Sequence, residues 1–201
     1  MPGPQAPAAQ RRAVSAIGDT SMLGPRLTTI FASVLVAIVS VAHAQSGCAI
    51  VYGDNWAFLF ATPERWVSKC RAERHTGAAL ALWPNGTTFA DAPAVMYVTV
   101  SGKDEPSLEA FAAGEQQHFR ATAPKAKVSP VGPMAVADGK RALVVRLSGD
   151  PGQNHELVAY TEGPTAYFIV VLSARSVKAL EEYRPAFQAL LQSFAPMEQR
   201  R

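Results

Sequence analysis

Histidines, cysteines, serines and paired carboxylates are the side chains that could do chemistry in this chain, and their spacing decides whether they can do it together. Beyond residue 44 the histidines are His75, His118 and His155. None stands three or four residues from another His, a Cys or clustered carboxylates, the spacing that brings metal ligands to one face. His155 and Glu156 are adjacent, but neighbours on a strand point to opposite sides of the sheet. These are therefore surface or helix-flank histidines, and no metal site is expected. Nucleophilic catalysis has no better footing, because G-x-S-x-G is absent and Ser101-Gly102 and Ser148-Gly149 fall where turns belong. Asp104-Glu105 and Glu181-Glu182 diverge on a helix, so they read as a dipole-complementing start and a solvated face. No glycine-rich phosphate loop occurs, and Asp150-Pro151-Gly152-Gln153-Asn154 suits a hairpin. No catalytic residue and no cofactor is assigned.

One stretch keeps a claim on function. Trp83–Pro93 places Trp83, Asn85, Phe89 and Asp91 in a long connection between two well-formed strands, where functional loops tend to lie. Aromatics there could line a binding face. The competing reading, and the preferred one, is that Trp83 and Phe89 fold back to cap one end of the core, since large aromatics dominate core burial.

The setting of these residues comes from the N-terminus. Leu27–Ala42 is uncharged and largely apolar, with Arg11, Arg12 and Arg26 before it and Ala42-His43-Ala44 after it. That is the three-part pattern of a secretory signal peptide cut after Ala44. Residues 1–44 are thus expected to be leader and extension, with Met22 an alternative start, and residues 45–201 a single domain. The expected address is periplasmic or secreted, with no membrane span left after processing, because the apolar run is shorter than the ~20 residues a spanning helix needs. Gln45-Ser46-Gly47-Cys48 approximates a lipoprotein site but carries Gln45 where such sites want Leu, Val or Ile, so no lipid anchor at Cys48 is expected. Cys48 and Cys70 are the two cysteines. In an oxidising compartment an even pair reads as a disulfide, worth ~3 kcal/mol, that would pin the mature N-terminus.

After Ala44 there are 16 Lys and Arg against 15 Asp and Glu, although the whole chain carries +3. A near-neutral domain without a basic cluster has no electrostatic footprint for nucleic acid.

The elements that must position these residues are set by hydrophobic period. Arg141–Leu147, His155–Thr161 and Ala166–Leu172 are β-like runs separated by turn-formers, too closely spaced for crossover helices, which predicts an antiparallel meander. Tyr167–Leu172 is apolar at both parities, so both faces of that strand must be covered. Earlier strands are expected at Trp56–Phe60, Ala78–Leu82 and Pro93–Val100. A helix is expected from Asp104-Glu105-Pro106-Ser107, with an acidic cap, to Pro124. Lys125–Lys140, with Pro130 and Pro133, suggests short edge strands. Ser173–Phe194 is helical in spacing, with a kink or fresh start at Pro185. The fold class is α+β: an antiparallel sheet with helices on both faces.

This succession resembles the Mog1/PsbP-like group, including the DcrB-like bacterial envelope proteins. The residues that carry the resemblance are Phe60-Ala61-Thr62-Pro63-Glu64-Arg65-Trp66 and the closing Ser193-Phe194. The resemblance implies a non-catalytic accessory or binding role through contact with a protein or envelope component. Two other readings stay open. A small-molecule or lipid carrier would need a cavity between sheet and helix, and an enzyme of unrecognised type would need convergent polar groups in a cleft.

Overall fold

The computed structural model describes residues 49–70, 78–149 and 152–197, all in the second of the chain's two units, His43–Arg201. The leader and its cleavage point, Cys48, His75 and residues 198–201 lie outside them. In order, the described chain forms β1 (Ile50–Tyr52), β2 (Ala57–Leu59), β3 (Trp66–Cys70), β4 (Leu80–Pro84), β5 (Ala94–Gly102), α1 (Leu108–Thr122), β6 (Lys127–Ala135), β7 (Arg141–Ser148), β8 (His155–Glu162), β9 (Ala166–Ala174), α2 (Val177–Ser193) and β10 (Ala195–Met197).

Seven strands make one sheet in the order β3-β4-β5-β9-β8-β7-β6, antiparallel throughout. The expected meander is β7-β8-β9, with Leu143 opposite Tyr160 and Glu162 opposite Tyr167. The free side of β9 then pairs with β5 over nine residues, from Ala94 opposite Ala174 to Gly102 opposite Ala166. That long pairing makes β9 the middle strand, which is why its apolar residues run at both parities. Phe168, Val170 and Leu172 enter the main core, while Tyr167 and Val171 enter a second cluster on the opposite face.

The helices cover those faces. On one side, Leu180, Phe187, Leu190 and Leu191 of α2 are fully buried against the sheet. On the other, Phe111 of α1 stacks on Tyr167 with ring centroids 4.5 Å apart and meets Tyr160 edge-on at 6.1 Å. The α+β sandwich expected from the sequence is the observed architecture.

A second, three-stranded sheet, β1-β2-β10, brings the two ends of the described chain together. Phe58 of β2 is fully buried between Phe194 at 4.7 Å and Phe168 at 5.6 Å. Ser193 fastens the same junction, its hydroxyl accepting from the Ala61 N–H at 2.9 Å and donating to the Leu190 carbonyl. Trp66, after a turn closed by its N–H on the Pro63 carbonyl, meets Tyr183 of α2 edge-on at 5.5 Å. The Phe60–Trp66 element and Ser193-Phe194, remote in sequence, thus meet in one core.

Several expectations are corrected. The cap of α1 is Ser107, whose hydroxyl accepts from the Ala110 N–H at 3.2 Å, not the acid at Asp104. Pro185 neither breaks nor restarts the last helix, which runs unbroken from Val177 to Ser193. Pro185 lies on the exposed face, where the carbonyl it leaves unbonded can reach water. Lys125–Lys140 yields one edge strand, β6, bulged between Pro130 and Gly132, in place of separate short ones. Of the expected Cys48–Cys70 bridge, Cys48 lies outside the described residues, and Cys70 is disulfide-bonded. Cys70, at the end of β3, is half-buried and is not a free thiol. The segment before β2 is also held by β1 pairing with β2.

Candidate functional site

Two places could carry function, at opposite ends of the strands. The first is the corner built by the β4–β5 connection. Trp83 stands opposite Val67 on β3 and is half-buried. Gly86 then turns the chain at φ +82°, a backbone region that costs other residues strain. The Thr87 hydroxyl donates to the Pro84 carbonyl at 2.7 Å, and the Asn85 N–H to the Arg65 carbonyl at 2.7 Å. The next turn is stapled by Thr88, whose hydroxyl donates to the Asp91 carboxylate at 2.6 Å. That staple swings Phe89 back over Trp83, edge to face at 6.0 Å. The Arg175 guanidinium donates to the Ala90 carbonyl and its N–H to the Pro93 carbonyl, which ties the connection to the end of β9.

The structure therefore brings Trp83 and Phe89 together and leaves Asn85 and Asp91 exposed beside them. Asp91 is occupied in holding the turn. Neither aromatic belongs to either packed cluster, so they form a rigid half-exposed pair on the rim.

The second place is a cavity of about 470 Å³ around the β8–β9 hairpin, lined by Lys103, Leu108, Lys140, Arg141, Thr161 and Glu162, with Gly163 and Pro164 at the turn. None of these was singled out from the sequence, because they come from segments far apart in the chain. Lys103 pairs with Glu162 at 2.5 Å and donates to the Gly163 carbonyl at 3.3 Å. Beneath them the Tyr167 hydroxyl donates to the Glu105 carbonyl at 2.9 Å. Burial pushes Tyr167 above the ordinary phenol range, Glu162 adds to the rise and Lys103 opposes it.

The remaining titratable shifts have structural causes. Tyr160, under α1, is pushed up to about 12, first by burial and then by Glu115 and Glu156. Glu181 is held below the usual carboxylate range, chiefly by its hydrogen bond from Arg146. His118 is exposed and His155 half-buried at the start of β8. Among the described residues no three His, Cys, Asp or Glu side chains converge as a metal site, and no helix is long and apolar enough to cross a membrane.

No family model matches this chain, and no curated protein matches it. Among solved structures it is similar to the solution structure of cyanobacterial PsbP (CyanoP) from Synechocystis sp. PCC 6803. The identity is 16%, the match covers 75% of this chain and 94% of that one, and the TM-score is 0.44.

Proposed function

We propose that this chain is an exported, non-enzymatic accessory domain of the cell envelope that binds a protein partner through the Trp83–Phe89 corner. The observation that carries the reading is the placement of these rings: packed on each other, outside both core clusters, and held by a stapled connection. Rigid aromatics at a rim give a large contact area at little entropic cost, the pattern of interface anchors. The carrier reading is not favoured, because Phe58, Phe168, Phe187, Phe194 and Leu190 fill the space between the sheet and α2. The enzyme reading gains nothing from the shifted tyrosines, whose displacement follows from burial under α1.

The test is affinity capture from envelope extracts with immobilised residues 45–201, comparing the native domain with a Trp83→Ala/Phe89→Ala variant shown to be folded by circular dichroism. The proposal expects a protein retained by the native domain and lost with the variant. Equal retention by both would reject the corner as the contact surface.

A further inference from the structure

The turn after β4 contains two neighbouring residues that can react with each other. The chain has three asparagines, Asn55, Asn85 and Asn154, and Asn85 alone is followed by glycine. In an Asn-Gly pair the glycine nitrogen can attack the side-chain amide carbon and close a succinimide ring. Any side chain on the second residue crowds the attacking nitrogen, and glycine alone leaves it open. This reaction is one reason asparagine is thermolabile. Trp56 follows Asn55 and His155 follows Asn154, so neither of those pairs is equivalent.

The structure leaves both reacting groups available. Asn85 and Gly86 are exposed in the β4–β5 connection. Neither the Asn85 side-chain amide nor the Gly86 N–H has a hydrogen-bond partner among the described residues, so no bond to either group must break first. Nothing lies within 4 Å of the position a Cβ on Gly86 would take. Restraint comes from the ends of the turn, where the Thr87 N–H and hydroxyl both donate to the Pro84 carbonyl, at 3.2 and 2.7 Å. Gly86, at φ +82°, holds the third place of that turn, where a positive φ is needed. Ring closure turns the Asn85–Gly86 peptide out of this geometry, so the bonds to Pro84 restrain the rate.

We propose that Asn85 is a site of spontaneous covalent modification driven by its own neighbour. The Gly86 nitrogen bonds to the Asn85 Cγ, the bond from Cγ to Nδ2 breaks, and Nδ2 leaves as ammonia with the proton from Gly86. Water then opens the succinimide at either carbonyl, giving aspartate linked through its α- or its β-carboxyl. One water is consumed and one ammonia released, with no change in oxidation state. Either product places a new negative charge in the connection that carries exposed Asp91 and the Trp83–Phe89 pair. The β-linked product also lengthens the turn by one backbone carbon. An effect of this charge on a partner at the corner rests on the contact-surface reading above, whereas the modification does not.

The test is peptide mapping by mass spectrometry of the purified, folded protein during incubation at mildly alkaline pH, beside a free peptide of residues 80–92. The peptide containing Asn85 should gain the mass of hydroxyl for amino and split into two chromatographically distinct products, while the peptides containing Asn55 and Asn154 stay unchanged. Conversion should rise in proportion to hydroxide, because the Gly86 nitrogen must lose its proton to attack. Asn85→Gln, which would need a larger ring, should abolish conversion over the same period, and Gly86→Ala should slow it severalfold. Thr87→Val, which loses the hydroxyl bond to Pro84, should move the folded protein towards the rate of the free peptide. No conversion in the folded protein while the free peptide converts fully, equal conversion at Asn55, or an undiminished rate in Gly86→Ala would overturn the proposal.

Discussion

Replacing Trp66 and Trp83 separately by alanine distinguishes a core tryptophan from a rim tryptophan. Trp66 is 5% exposed, packed in the main core and set against Tyr183. Its truncation removes the transfer free energy of a large ring and leaves a cavity the sheet and α2 cannot close, a loss of about 3–5 kcal/mol. Trp83 is half-buried and its best-defined partner is Phe89. Its truncation gives up one edge-to-face contact, worth about 0.5–1.5 kcal/mol, and part of a transfer term, and it opens a hollow that water can fill. We predict about 1–2 kcal/mol in total, so the cavity contribution is what separates the two sites. For a domain of this size each kcal/mol moves the midpoint by about 2–4 °C, so Trp66→Ala should lower it by about 10 °C and Trp83→Ala by about half that or less. Urea unfolding monitored by far-ultraviolet circular dichroism measures both, with unchanged m-values required for the comparison. Equal losses would make Trp83 a cap of the core and refute the use of this corner as a contact surface.

The packing leads to three further predictions. Pro185→Ala should stabilise the protein by about 2 kcal/mol, because it restores a helical hydrogen bond at an exposed position of α2 without disturbing the buried stripe; a lower midpoint would contradict this. Tyr160 stays neutral in the folded protein up to about 12, whereas an unfolded tyrosine ionises at 10.0. Stability from this group is complete below the lower value and lost as pH rises through the interval, by roughly 2–3 kcal/mol, so Tyr160→Phe should flatten the alkaline limb of a stability–pH profile. Gly163→Ala should cost about 1–3 kcal/mol by overpacking against Phe168, read as a lower urea midpoint.

The sheet was legible where pairing is local. Tyr167–Leu172, apolar at both parities, and the short gaps around β8 specified the meander and the two covered faces. The three-residue strands β1 and β10 were not legible, since so short a stretch has no period and exists only because β2 lies between them. Pro185 misled because proline breaks helices when the freed carbonyl is buried, and here that residue faces water. The aromatic corner could be picked out because Trp83, Asn85, Phe89 and Asp91 lie within one connection, but the Thr88–Asp91 staple that sets its shape depends on turn geometry. The cavity could not be foreseen. The segments that carry Lys103, Arg141 and Thr161 come together only through the β5–β9 and β7–β8 pairings, and a long-range register leaves no local mark on sequence.

Site-specific photocrosslinking in living cells tests the corner as a contact surface most directly, because the adduct forms with whatever protein sits there. A benzophenone amino acid replaces Phe89 at the corner in one strain and exposed Lys178 on α2 in another, and adducts are resolved by mass after irradiation. We predict a discrete adduct from position 89 that is absent from position 178. Identical adduct patterns at the two positions, or none at 89 while the domain is folded and exported, would contradict a partner bound at the Trp83–Phe89 pair.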